Sequence, residues 1–168
     1  MKDEQFIYCD FKEEYRKPLI DLYKEIWKEP PWNEFFWTDK MVDDDISFAL
    51  DQKDFIGKLA LCSNDVVGFT WGYKLPFEKF PFLKGVTRDE TIYIDELAVR
   101  SDFRRRKIGT TLTNLLIENA IGLGYYDLIL RTDVNGVAYA FYKNLGFDDT
   151  EVRNPTYPER TYMKKSIR

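Results

Sequence analysis

Apolar residues recur along this chain with two periods, and the switches between them outline its elements. Residues 5–11 alternate weakly and predict an opening strand. Leu19, Leu22, Tyr23, Ile26 and Trp27 then return at helical spacing, with Pro18 tolerated in the first turn and Pro30-Pro31 as a stop. Thr38 is placed to cap a second helix carrying Met41, Val42, Ile46, Ala49 and Leu50 on one face. Residues 58–62 and 66–73 are β-rich runs around Ser63-Asn64-Asp65, which reads as a hairpin. A long connection, 75–90, holds Phe77, Phe80 and Phe82 and leads into the clearest strand, 91–99.

The second half alternates more cleanly. Ile108, Leu112, Leu115, Leu116 and Leu123 trace one face of a helix that Gly122 or Gly124 can end. Residues 126–132 predict a strand, 135–144 a helix closed by Gly146, and 160–167 a final strand. A helix pair, an antiparallel meander and then β-α-β-α-β make a mixed α/β sheet, whose internal strand-helix-strand unit requires a right-handed crossover. With no repeat, linker or low-complexity tract, residues 1–168 read as one domain.

Composition narrows the chemistry. The 25 Lys plus Arg against 29 Asp plus Glu leave a net charge of −4, with 44% hydrophobic residues, which describes a folded chain rather than a disordered one. No apolar run approaches the ~18 residues of a membrane span. The start, Met1-Lys2-Asp3-Glu4-Gln5, has no apolar stretch behind it, so no secretory leader is expected. Cys9 and Cys62 form neither a disulfide framework nor a metal-ligand spacing, which suits a reducing cytoplasm, and they read as small buried hydrophobes. Histidine is absent, which excludes a Ser-His-Asp triad, a Cys-His pair and an imidazole-ligated zinc. No metal is expected, and acid–base work falls to Asp, Glu, Tyr, Cys, Lys or water.

One segment concentrates candidate chemistry. From Ile94 to Thr110 the chain runs from a strand through a basic turn, Arg104-Arg105-Arg106-Lys107, into a helix. Free N–H groups and partial positive charge at a helix start suit a phosphate, the added cations strengthen that, and Gly109 and Thr110 keep side chains small. A solvated basic turn is the plainer alternative. Nucleic-acid binding is not expected, because positions 1–54 hold 8 basic against 15 acidic residues and no broad basic face results. Neither GxGxxG nor GxxxxGK occurs.

Leu97-x-Val99, then Phe103-Arg104-x-x-Lys107-x-Gly109-Thr110 and a Leu-rich helix, resembles the acyl-CoA-binding motif of the GNAT superfamily of N-acyltransferases, Arg/Gln-x-x-Gly-x-Gly/Ala. The run from Asn135 through Ala138 to Tyr142, Gly146 and Phe147 looks like the superfamily's second motif. Val67-Gly68-Phe69 and the closing Tyr162-Met163-Lys164-Lys165 fit its order of elements. The resemblance implies a GNAT-like fold, a mostly antiparallel central sheet flanked by helices, and acetyl-CoA as co-substrate. One departure stands out: Lys107 occupies the motif's first Gly, which is tolerable because a residue entering a right-handed helix needs no positive φ.

Carried over by that resemblance, Leu97, Ala98 and Val99 border the pantetheine arm and thioester. The N–H groups of Arg105, Arg106, Lys107, Ile108, Gly109 and Thr110 cradle the pyrophosphate, with Arg104 alongside. Asn135 and Ala138 approach the cofactor arm. Tyr142 stands near the sulfur, where it can protonate the departing thiolate; otherwise it is a core aromatic on a stripe with Ala138, Phe141 and Leu145. The base is expected to be Asp95 or Glu96, with Glu96 favoured. Neighbours on a strand face opposite ways unless a bulge intervenes, so only one is expected in the cleft. For the acceptor, a small-molecule or peptide amine, the aromatic cluster Trp27, Pro30, Pro31, Trp32, Phe35, Phe36 and Trp37 with Asp43-Asp44-Asp45 suits a cation, or else packs as an aromatic loop beside a solvated acidic helix face. The reading is direct transfer of acetyl to a primary amine in a ternary complex. A non-catalytic acyl-CoA-sensing or protein-interaction domain is the alternative. No membrane partner is expected, and a homodimer stays open.

Overall fold

The computed structural model describes residues 4–168, so the leader reading rests partly on Met1, Lys2 and Asp3, which lie outside the described residues. Seven strands form one sheet in the order β1-β2-β3-β4-β5-β7-β6. They are β1 (Phe6–Asp10), β2 (Ile56–Cys62), β3 (Asp65–Lys74), β4 (Thr91–Val99), β5 (Asp127–Asp133), β6 (Asp148–Arg153) and β7 (Arg160–Ser166). The helices are α1 (Arg16–Trp27), α2 (Asp39–Leu50), α3 (Ile108–Gly122) and α4 (Val137–Asn144). Every strand pair is antiparallel except β4 with β5, which α3 joins. The mixed α/β class is therefore as the periodicity indicates.

Local signals place the ends. The Thr38 hydroxyl accepts the Met41 amide at 3.2 Å and opens α2. Ser63 and Asn64 both take positive φ, 49° and 71°, which matches the right-handed twist of the β2–β3 hairpin they connect. Gly124, not Gly122, supplies the left-handed residue beyond α3. β6 has no counterpart in the sequence reading. Its residues, Asp148 to Arg153, carry no apolar alternation because the strand is at the sheet edge, where neither face is fully covered.

The sheet is covered on both faces. α1 and α2 bury Leu19, Leu22, Tyr23, Ile26, Val42 and Ile46 against Leu59, Phe69, Trp71 and Tyr93. On the opposite face α3 and α4 bury Leu116, Ala120 and Tyr142 against Ile92, Ile94, Leu128, Leu130 and Met163. β4 divides the two layers, with Ile92 and Ile94 on one side and Tyr93 on the other. Cys9 and Cys62 are half-buried at the margins of these clusters rather than enclosed. No helix among the described residues is long and apolar enough to cross a membrane.

Candidate active site

β4 is paired on both edges only at its start. Its parallel register with β5 runs from Thr91 opposite Asp127 to Ile94 opposite Leu130 and then stops, while its pairing with β3 continues to Val99 opposite Gly68. Residues 95–99 therefore have a free edge in mid-sheet. Strand alternation sets what that edge offers. The Arg100 N–H reaches the Val67 carbonyl on β3, so Ala98 also directs its backbone groups to β3, while Leu97 and Val99 direct theirs to the open side. Of these, the Val99 carbonyl already accepts from Arg104 Nε at 2.9 Å. On this edge the free backbone groups are therefore those of Leu97 and the Val99 N–H, while Ala98 turns its own to β3.

A bulge decides where the carboxylates go. Trp71 stands opposite Glu96 but Gly72 stands opposite Ile94, which leaves Asp95 as the extra residue. Without it, Glu96 would follow Ile92 and Ile94 to the α3–α4 face. With it, both Asp95 and Glu96 turn toward α1 and α2, and the expectation that only one of them enters the cleft is corrected. Gly72 makes this geometry possible, because a Cβ there would lie 2.6 Å from the Tyr93 carbonyl.

Asp95 and Glu96 line a cleft of about 560 Å³ with Asp44, Asp45, Phe48, Trp71, Tyr73 and Lys79. The Trp71 indole donates to Asp95 Oδ2 at 3.3 Å, and the Tyr23 hydroxyl donates to Glu96 Oε1 at 3.1 Å. Burial, followed by the neighbouring Asp95 charge, pushes the Glu96 carboxyl well above the usual range despite the Tyr23 hydrogen bond. Burial also raises Asp95, against the opposing pull of Trp71 and Tyr73. Asp45 is raised by partial desolvation and by Asp95. A carboxylate with its affinity for protons increased in this way is better matched to accept one from an ammonium.

Tyr142 approaches from the other layer. Its ring is buried against Phe141 and Phe147, and burial first, then the Glu96 charge, raises its phenol above the ordinary value. It therefore stays protonated as a donor. No hydrogen bond contributes to its shift, so the hydroxyl is uncommitted. Only part of the predicted stripe is packed: Phe141 and Leu145 are half-buried with it, whereas Ala138 is exposed, as is Asn135.

At the end of the free edge the basic turn closes into α3. Arg105 and Lys107 both have φ of 63°, with the negative-φ Arg106 between them. Alternating handedness makes successive N–H groups converge into a concavity for an anion. Lys107 is the residue before α3, at φ 63° and ψ 17°, and its side chain makes no cap. The expectation that this position needs no positive φ is thus wrong: the turn re-aims the chain sharply enough that the last residue before the helix is left-handed. Gly109 is tight for another reason, since a Cβ there would lie 3.3 Å from Phe141. Two of the four cationic side chains of this turn are engaged elsewhere. Arg104 pairs with Glu29 at 2.6 Å and Arg106 with Glu4, while Arg105 makes no ion pair among the described residues.

Of the residues named for the acceptor side, only some reach the cleft. Asp44 and Asp45 line the cleft, but Asp43 pairs with Arg16 at 2.9 Å. None of the aromatic cluster from Trp27 to Trp37 lines it. Trp27 and Trp37 pack edge-on against Tyr23, and Phe35 and Phe36 are exposed. The cleft's aromatic walls are Phe48, Trp71 and Tyr73, which the sequence reading places in the helix and strand without a role. Their only signal is distributed: a residue on α2 and two on β3 that meet across the fold.

Comparison with known proteins agrees with this arrangement. The fold is similar to that of an aminoglycoside 6'-N-acetyltransferase crystallised with coenzyme A, at a TM-score of 0.71 and 20% identity, covering 96% of this chain and 97% of that one. An uncharacterised N-acetyltransferase of Methanocaldococcus jannaschii is 30% identical over 146 residues, 85% of this chain and 57% of its own length. N-alpha-acetyltransferase 30 of Dictyostelium discoideum is 32% identical over 101 residues, 60% of this chain and 50% of its own. The chain thus spans about half the length of the curated relatives it matches. The family described as "Acetyltransferase (GNAT) family" matches residues 16–147, most of the chain, and this protein belongs to the GNAT acetyltransferase family.

Proposed function

We propose that this protein transfers the acetyl group of acetyl-CoA to a primary amine by direct attack within a ternary complex. The observation that carries the reading is the unpaired half of β4, which has raised carboxylates on one face, an uncommitted phenol on the other and an anion cradle at its end. The cradle of Arg105 to Thr110 N–H groups holds the pyrophosphate. Leu97 and the Val99 N–H meet the pantetheine arm as an added strand would, and Asn135 and Ala138 border it. The coenzyme supplies the activated acyl thioester.

The chain's residues then divide the proton work. Glu96, directly or through water and with Asp95 beside it, takes a proton from the acceptor ammonium, whose ordinary pKa is ~10.4. The Leu97 N–H polarises the thioester carbonyl while the new N–C bond forms. Tyr142 donates its proton to the thiolate as the C–S bond breaks, and solvent restores it. No enzyme-bound acyl group is required. The unpaired Cys9 and Cys62 support a reducing, cytoplasmic setting.

The test is thiol release from acetyl-CoA against a panel of amines, with product identity read by mass. Turnover with an acetylated amine is the expected result. Coenzyme binding without turnover on any amine would favour an acyl-CoA sensor, and no binding at millimolar acetyl-CoA would overturn the site assignment.

A further inference from the structure

Resting on that reading, the cleft on the α1–α2 side carries a further property: its charge. Asp95 and Glu96 on β4 share the cleft with Asp44 and Asp45 on α2, and among the described residues the only cation on its wall is Lys79. Asp44 has an exposed partner in Lys40 at 2.7 Å, but Asp45 has no ion pair among the described residues. Arg131 does not line the cleft, but its charge lowers Asp95, more than Lys79 does, and Glu96. Four carboxylates against one lysine leave this wall short of positive charge, and burial, with neighbouring carboxylates adding to it at Asp45 and Glu96, raises the affinity for protons of Asp45, Asp95 and Glu96.

A second feature indicates what fills the deficit. The chain's own ammonium, Lys79 Nζ, sits 3.6 Å from the centre of the Phe48 ring at the cleft wall. Trp71 and Tyr73, both hydrogen-bonded to Asp95, offer further aromatic surface on the cleft wall. Such faces accept ammonium groups and the methylenes joining them equally well. The two acidic pairs also differ in position. Asp95 and Glu96 adjoin the free β4 edge, where an amine would react, whereas Asp44 and Asp45 stand across the cleft on α2.

We propose that the acceptor is a small aliphatic polyamine, a molecule with at least two ammonium groups joined by a methylene chain. One ammonium is deprotonated beside Asp95 and Glu96 and acetylated. The other remains charged against Asp44 and Asp45, with the spacer along Trp71, Tyr73 and Phe48. Acetylation removes one positive charge from the ligand, so the product holds the cleft less tightly than the substrate and leaves.

The experiment measures thiol release from acetyl-CoA with three acceptors: putrescine, butylamine (the same carbon chain with one amine) and a short peptide whose N-terminus is its only cation. The same three are titrated calorimetrically into the protein saturated with CoA. Expected are a putrescine KM and dissociation constant at least about tenfold below those of butylamine, a gap of ~1.4 kcal/mol. In Asp45→Asn that gap narrows to about threefold or less, and in Lys79→Met, which removes the competing cation, it widens. Equal affinities for putrescine and butylamine, or a gap unmoved by both variants, would overturn the proposal even if turnover is robust. Preference for the peptide would do the same and point to a protein N-terminus. Should no amine be turned over, the transferase reading fails, but the calorimetric gap and its response to Asp45→Asn still decide whether the cleft selects polyamines.

Discussion

Replacing Lys107 by glycine should stabilise this protein, although the substitution removes an entire side chain. Lys107 is held at φ 63°, where a Cβ crowds the following carbonyl at a cost of roughly 1–2 kcal/mol. Glycine removes that cost but gives the unfolded chain more freedom, worth about 0.4–1 kcal/mol in the other direction. The difference is a gain of about 0.5–1 kcal/mol, or roughly 1–4 °C in Tm for a domain of this size. The side chain itself is exposed and caps nothing, so its loss adds little. Lys107→Ala is the matched control: it also loses the charge but keeps the Cβ, and its stability should stay within ~0.5 kcal/mol of the parent. Urea melts of the three proteins, compared at equal m-values, measure the terms. If the glycine and alanine variants melt together, or glycine is the less stable, backbone strain at this position is not what the left-handed geometry implies.

Tyr142→Phe should lower turnover by about 10²-fold while leaving acetyl-CoA affinity and stability nearly unchanged, because the hydroxyl has no partner to strand and the ring keeps its contacts with Phe141 and Phe147; single-turnover rates within a factor of about two of the parent would make it packing alone. Glu96→Gln should depress turnover most near neutral pH, with the deficit shrinking as pH rises and free amine becomes plentiful. The same variant should be more stable than the parent at neutral pH. Burial raises Glu96 in the folded state, so its contribution is fully favourable below the unfolded value near 4.5 and is lost as pH climbs through the raised folded value. Thermal melts from pH 4 to 8 should show the two proteins diverging upward through that window, and parallel curves would contradict the burial argument. Gly72→Ala should cost about 1–3 kcal/mol by driving a Cβ into the Tyr93 carbonyl, and an unchanged melt would mean that the bulge shifts to make room.

Much of this protein was legible one residue at a time. Helical spacing from Leu19 to Trp27, the Thr38 cap, the Ser63-Asn64 turn and the basic turn before Ile108 are local signals, and each sits where periodicity and turn chemistry put it. The two motifs around Lys107 and Tyr142 pointed to the family for the same reason, since they describe short stretches of backbone. What could not be read locally is where strands meet. β6 escaped because an edge strand need not alternate. The left-handed Lys107 escaped because lysine seldom adopts that conformation and only the approach of α3 to the sheet demands it. The bulge at Asp95 depends on Gly72 and Tyr93 from two strands, yet it alone turns Glu96 from the α3–α4 layer into the cleft. The cleft itself gathers α2, β3, β4 and Lys79 across more than fifty residues of chain, so its charge exists only once the sheet is assembled. Local sequence determined the elements and the coenzyme motif, whereas pairing register and close approach, which are properties of the packed chain, decided which carboxylates share a space.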